Sequence, residues 1–274
     1  MDVFSKDVLK GQAAIVTGAG TGIGKVVALE LARHGADVAL AARNAERLEE
    51  TAKEVRALGK RALVLPTDVA LPEQVRDMVA AAADGFGRLD LLVNNAAANF
   101  IRPTEMLTAV RWKKVIDIVL NGTFYGALEA GRRMLEQGSG CIINMVATYA
   151  WTGAPGLAPS CSAKAGVVAL TKTLGAEWAG RGVRVNAIAP GFIDTPQSRE
   201  RLWPSEDMVK KIASRIPAGK FGEEIDAANA VLYLASPAGR YIFGEVLVAD
   251  GGHCLGKGAL EIIDTMVPVR KGRG

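Results

Sequence analysis

The feature that most constrains this chain is an alternation of short, uninterrupted apolar runs with longer stretches of helical periodicity. The runs are Ala13–Thr17, Asp37–Ala42, Ala62–Pro66, Leu89–Asn94, Cys141–Met145, Val183–Ile188 and Glu245–Ala249. A strand with one wet face alternates apolar and polar residues, whereas one that is apolar throughout is covered on both faces. Parallel neighbours also need long crossovers, and helical stretches such as 23–34 and 45–58 provide them. The pattern predicts an α/β fold, doubly wound, with a seven-stranded parallel sheet. No Pro/Gly/Ser-rich linker or shift in composition divides the 274 residues, so a single domain over 1–274 is expected. The segment from about 191 to 222 begins loop-like and continues as the amphipathic PSEDMVKKIASRI, with Trp203 just before it. It reads as an insertion able to cover a ligand, the alternative being a surface helix without a role. Residues from about 253 to 274 form a weakly patterned tail.

Composition mostly excludes. Lys and Arg number 33 against 29 Asp and Glu, a net charge of +4 that is spread along the chain. The small group Arg270, Lys271 and Arg273 reads as a solvated end, so no nucleic-acid partner is expected. No apolar run reaches the roughly 18 residues of a membrane span, and the charged start MDVFSKDVLKGQ lacks a secretory apolar core. The expectation is no membrane and a cytoplasmic location. Cys141, Cys161 and Cys254 are odd in number and not spaced as ligands, and His34 and His253 are far apart, so reduced thiols and no metal are expected.

TGAGTGIG, Thr17 to Gly24, directly follows the first apolar run and opens the first helical stretch. Gly18, Gly22 and Gly24 permit a tight turn and close approach of backbone to a pyrophosphate, and the helix behind them offers free N–H groups. The strand–turn–helix context makes this a Rossmann dinucleotide site, with Gly20, Thr21 and Ile23 completing the loop. Where an NAD site usually carries a carboxylate for the ribose 2′-hydroxyl, this chain has Ala42 followed by Arg43. Without the acid a 2′-phosphate is not repelled, and a guanidinium can grip it with forked hydrogen bonds, so NADPH is the expected cofactor.

With NNAA (Asn94–Ala97), Asn121, Lys164 and PGFIDT (Pro190–Thr195), the glycine loop makes the chain resemble the short-chain dehydrogenase/reductases from about Lys10 to Gly252. The resemblance implies that Asp68 and Val69 lie near the adenine. It puts Asn94, Asn95 and Ala96 along the cofactor cleft, Lys164 on the nicotinamide ribose, and Pro190, Gly191, Ile193 and Thr195 by the carboxamide. It implies catalytic work for Asn121 and Lys164. It also implies a homotetramer built through 112–136, 163–181 and the final strand, where small residues (Gly122, Gly126, Gly131, Ala169, Gly175, Ala176) allow close helix approach.

The departures are sharper than the matches. The family's tyrosine, four residues before the lysine, is Ser160, and its serine, thirteen before that, is Ala147. NNAAANF, IDIVLNGTF, INMVATYAW and SCSAKAG resemble the 2,4-dienoyl-CoA reductase branch, in which a tyrosine eleven residues earlier takes over; here it is Tyr149. That branch implies substrate contacts at Asn99, Phe100, Thr108 and Ser160, and an acyl-CoA thioester as substrate. It can carry an arginine two residues after Asp68, where this chain has Ala70, which leaves open what holds the CoA moiety.

Moving the tyrosine makes chemical sense. A ketone reductase needs its proton donor beside the carbon that accepts hydride. In a dienoyl thioester, hydride adds at C5 and charge passes through the π-system to the thioester oxygen, so the donor must follow the oxygen. Tyr149 and Asn99 would form an oxyanion hole there. The expected function is NADPH-dependent reduction of 2,4-dienoyl-CoA in fatty acid β-oxidation. The alternatives are another enoyl or carbonyl reductase of this fold, and a non-catalytic NADP-binding scaffold.

Overall fold

The computed structural model describes residues 4–201 and 205–256. Seven parallel strands form one sheet in the order β3-β2-β1-β4-β5-β6-β7. They are β1 (Ala13–Thr17), β2 (Asp37–Ala42), β3 (Ala62–Pro66), β4 (Leu91–Asn94), β5 (Gly140–Met145), β6 (Val183–Pro190) and β7 (Val246–Ala249). The expected doubly wound α/β fold is present. Within β1, Ala14 and Val16 face one apolar core and Ala13 and Ile15 the other. The first core is closed by α1 (Gly22–Arg33), α2 (Ala45–Ala57) and α10 (Glu224–Ala235). The second is closed by α3 (Pro72–Phe86), α5 (Gly122–Gln137) and α7 (Ala158–Trp178). Burying such a Leu or Ile side chain contributes about 1.5–3 kcal/mol, so the apolar-throughout strands are what this packing requires.

Local chemistry trims the predicted strands. β4 begins at Leu91 rather than Leu89, because the Gln137 side chain takes both polar groups of the Leu89 backbone at 2.9 Å. β7 begins at Val246, one residue late, since the Glu245 N–H donates to Asn186 Oδ1. β6 continues to Pro190 and delivers the following residues to the sheet's C-terminal edge.

The segment after Gly191, read as loop, holds a helix, α8 (Pro196–Arg201), before α9 (Glu206–Ala213). Its limits are set by pairing: Asp194 N–H donates to Gly222 C=O (2.8 Å) and Gly222 N–H to Phe192 C=O (2.9 Å). Arg199 forks onto Asp194 at 2.6 and 2.7 Å and reaches Glu206 at 3.0 Å, tying α8 to the segment's root and to α9. Trp203 and residues 257–274, including the basic group near the end, lie outside the described residues. The remaining elements are α4 (Ala109–Ile116), a π-helical turn (Asp117–Asn121) and the one-turn α6 (Tyr149–Thr152). Among the described residues no helix is long and apolar enough to cross a membrane.

The helix glycines are occupied within the chain itself. A Cβ on Gly126 would lie 2.5 Å from Asn94 Oδ1, one on Gly131 2.4 Å from Trp178, and one on Gly175 2.5 Å from the Gly244 backbone. Their smallness serves internal packing, so it does not bear on contacts between subunits.

Candidate active site

The strand order reverses between β1 and β4, and a crevice opens at the C-terminal edge beside that point. The glycine loop there is locked to β4. The Thr17 hydroxyl accepts from the Asn95 and Ala96 N–H groups (3.0 Å each), and Asn95 Nδ2 donates to Thr17 C=O at 2.9 Å. Gly24 has no room for a side chain: a Cβ would lie 2.3 Å from Gly18 O and 2.4 Å from Asn95 Nδ2. Gly18 adopts φ +69°, a region that favours glycine.

α2, α4 and α9 are capped by the side chains of Asn44, Thr108 and Ser205. No side chain caps α1. Its first N–H groups are therefore available to an anion, as a pyrophosphate cradle requires. A hollow of about 390 Å³ beside them is lined by Gly20, Thr21, Gly22, Lys25 and Arg47 among others. Arg43 is exposed at the end of β2, and neither it nor Arg47 forms an ion pair among the described residues. Arg47 was not singled out from the sequence. It sits one helical turn beyond Arg43, where periodicity from the Asn44 cap could have found it.

The main cleft, about 370 Å³, runs across the C-terminal ends of four strands. Asn95, Ala97, Asn99 and Ile101 come from the loop after β4, and Ala147, Tyr149, Thr152, Ala154 and Leu157 from the stretch after β5. Gly191, Phe192, Ile193 and Thr195 follow β6, and His253 follows β7. Ile23 and Lys164 complete it at the nucleotide end. The cleft thus unites Asn99, Tyr149 and Lys164, which are far apart in sequence.

The Tyr149 hydroxyl is 3.1 Å from Ser160 Oγ. Burial pushes its phenol above the ordinary value, with the Ser160 hydrogen bond opposing weakly, so it is a neutral O–H donor at physiological pH. Asn99 Oδ1 accepts from the Phe100 N–H at 2.9 Å, which leaves its amide N–H groups for a ligand. The buried Lys164 ammonium donates to Met145 C=O, and burial lowers its pKa to about 8. Two neutral donors at one wall, with a cation at the nucleotide end, can stabilise negative charge on a bound oxygen.

Several expected contacts fall elsewhere. Ser160 does not line the cleft; at 2% exposure it is buried and supports Tyr149 from behind. Thr108 caps α4 by accepting from Arg111 N–H, and Phe100 packs beside Val115, Val119 and Ala163 under the Arg111 guanidinium. Neither lines the cleft: Thr108 is taken up by the start of α4, and the Phe100 ring is drawn into the apolar group beneath it. Asn94, expected along the cofactor cleft, is buried and donates to Asn144 Oδ1 at 3.0 Å; its neighbour Asn95 takes that place. Asn121 donates to Asp117 Oδ1 at 3.0 Å inside the π-helical turn and is not in the cleft. Asp68 accepts from Ala70 N–H and shapes its own turn at the end of β3, and Val69 is packed against Gly122. Thr152, Leu157, Phe192 and His253 were missed from the sequence. Each follows a strand end, the position where this topology builds its crevice, and that rule is the signal that could have found them.

A family model described as Enoyl-(Acyl carrier protein) reductase matches residues 18–253. A protein of Bacillus subtilis (strain 168) described as "Probable 2,4-dienoyl-CoA reductase", (2E)-enoyl-CoA-producing, is 42% identical over 249 residues, covering 90% of this chain and 98% of the relative. The peroxisomal 2,4-dienoyl-CoA reductase of Danio rerio, (3E)-enoyl-CoA-producing, is 39% identical over 251 residues, 91% of this chain and 84% of the relative. A solved structure from Agrobacterium tumefaciens, described as a 2-deoxy-d-gluconate 3-dehydrogenase with bound NADP, has TM-score 0.83 at 35% identity. It covers 93% of this chain and 100% of that one.

Proposed function

Because this chain belongs to the short-chain dehydrogenase/reductase family, we propose that it reduces 2,4-dienoyl-CoA thioesters to 3-enoyl-CoA with NADPH, in the β-oxidation of unsaturated fatty acids. The observation that carries the reading is the Tyr149–Ser160 contact at 3.1 Å, in a chain with no tyrosine at position 160. The phenol shares its cleft with Asn99, a second neutral donor whose amide N–H groups are free for a ligand.

The residues fit the dinucleotide. The uncapped start of α1 and the Gly18–Gly24 contact form a cradle that a Cβ would fill. Lys164 would hold the nicotinamide ribose, and Arg47, which lines the hollow beside α1, and Arg43, exposed at the end of β2, would grip a 2′-phosphate. When bound, NADPH supplies the hydride. Tyr149 and Asn99 then donate to the thioester oxygen on which charge collects; one such donor is typically worth about 3 kcal/mol in the transition state. Charge also resides on C2 and C4. A proton at C2 gives the 3-enoyl thioester, and one at C4 gives the 2-enoyl thioester, so the products named for the two relatives differ only in this step.

A carbonyl reductase needs its donor beside the hydride-accepting carbon, close to Lys164, and Ser160 cannot supply a phenol there. A scaffold without turnover does not account for Tyr149 held by Ser160 in the same cleft as an Asn99 amide whose N–H groups meet no acceptor among the described residues. The decisive experiment is NADPH oxidation with 2,4-hexadienoyl-CoA, the product's double bond being located by NMR. One equivalent oxidised per thioester, with the double bond at C3, supports the proposal. No oxidation, or reduction confined to 3-oxoacyl thioesters, would overturn it. The same reading places the enzyme in the cytoplasm as a homotetramer, and a light-scattering mass of one subunit would contradict the assembly.

A further inference from the structure

Holding the dienolate oxygen does not finish the reaction, because a carbon must still be protonated. Among the described residues lining the main cleft, only Tyr149, Lys164 and His253 carry titratable side chains. Tyr149 faces the oxygen in the reading above, and the Lys164 ammonium is turned into Met145 C=O at the nucleotide end. His253 is left, and it is built to be presented.

The turn that carries it is fixed from below. The Asp250 carboxylate accepts from Gly252 N–H at 2.9 Å and Cys254 N–H at 2.7 Å, bracketing His253, whose own N–H donates to Asp250 C=O at 3.1 Å. Gly251 and Gly252 take φ +63° and +82°, which lets the chain double back directly after β7. The ring stands edge-on to Phe192, centroids 4.8 Å apart and planes at 81°. Neither ring nitrogen is hydrogen-bonded to another described residue, and the ring lines the cleft. The strand order also separates the groups. Asn99 and Tyr149 follow β4 and β5, whereas His253 follows β7 and enters the cleft from another strand end. A thioester whose oxygen is held by Tyr149 and Asn99 leaves a face of C2, two bonds from that oxygen, open to a group entering from a different side.

We propose that His253 is the acid that protonates the dienolate at C2, an inference that rests on the dienoyl-CoA reading. The N–H bond of the protonated imidazole breaks and leaves its pair on nitrogen. The C1–C2 enolate pair forms the new C2–H bond, the thioester C=O is restored, and the C3=C4 double bond stays. The ring regains a proton from solvent.

The test is turnover of 2,4-hexadienoyl-CoA by the full-length enzyme in D₂O, with parent, His253→Gln and His253→Ala compared. The parent is expected to place one deuterium at C2 in a single configuration. His253→Gln should lower kcat about 100-fold, the usual scale for a positioned acid, leave NADPH affinity unchanged, and give C2 deuterium in both configurations. Added imidazole should restore part of the turnover of His253→Ala, which a packing role would not allow. A parent that turns over dienoyl-CoA while His253→Gln keeps its kcat and its single configuration overturns this inference alone. A parent without dienoyl-CoA turnover overturns the substrate reading together with it.

Discussion

The two ends of the cleft are held by different kinds of structure. At the nucleotide end, backbone is packed too closely for a side chain. Thr17 is tied to Asn95 and Ala96 by hydrogen bonds of 2.9–3.0 Å through the Thr17 hydroxyl and the Asn95 amide, and two contacts closer than 2.5 Å await any Cβ at position 24. At the other end, side chains from four separate loops converge, and the Tyr149 hydroxyl is held by one partner, Ser160. A backbone cradle tolerates no change of shape but needs few particular side chains. A side-chain constellation tolerates substitution in its frame but depends on one or two functional groups. Loops at strand ends are where one fold changes its chemistry, and here the change is the shift of the phenol from position 160 to 149.

The largest effect expected at the nucleotide end comes from Gly24→Ala. The new methyl meets the Gly18 carbonyl and the Asn95 amide, neither of which can yield, so the loop must move. NADPH affinity measured by calorimetry should fall about 100-fold, the scale of an ångström-level misplacement. Unchanged affinity would show that the cradle is not rigid. Arg43→Ala should erase most of the preference for NADPH over NADH, roughly 10- to 100-fold, since a charge-assisted contact is worth about 1–3 kcal/mol. Equal discrimination by variant and parent would pass the 2′-phosphate to Arg47.

The pH dependence follows from Lys164, whose pKa burial lowers to about 8. Below that pH the side chain is cationic and attracts the anionic cofactor; above it the charge is lost. NADPH affinity should therefore decline as pH rises through about 8 in the parent and stay flat there in Lys164→Met. The smallest effect is expected from Ser160→Ala, which removes one hydrogen bond to a phenol already hemmed in by burial. A loss of about 0.5–1.5 kcal/mol lowers kcat roughly 3- to 10-fold. Ser160→Tyr should not restore a carbonyl reductase, because a ring at this buried position would collide with Tyr149 rather than enter the cleft.

Legibility followed the same division. Seven apolar runs announced the sheet because both its faces are buried, and TGAGTGIG announced the cradle because backbone geometry leaves a mark on glycine usage. Tyr149 and Asn99 were legible only through motif spacing. Ser160, Phe100 and Thr108 were assigned to the substrate by the same spacing, yet Ser160 is buried behind Tyr149, Thr108 caps α4 and Phe100 packs beside Val115 and Ala163. Spacing places a residue in a loop without saying which way its side chain points. His253 and Arg47 were passed over because neither belongs to a motif, although the strand-end rule and the periodicity from the Asn44 cap mark their positions. Strand ends Leu89 and Glu245 were misjudged because the Gln137 and Asn186 side chains, far away in sequence, claim their backbone groups.

The central claim is that the proton donor has moved with the charge, from the hydride-accepting carbon to the thioester oxygen. Tyr149→Phe tests it most directly, since it keeps the ring and removes only the hydroxyl. With 2,4-hexadienoyl-CoA, kcat should fall about 10²- to 10³-fold while NADPH affinity stays at the parental value, because the lost contact strengthens chiefly in the transition state. A Tyr149→Phe enzyme with near-parental turnover would contradict the account: the phenol would then be a packing group, and the serine at position 160 would have no counterpart.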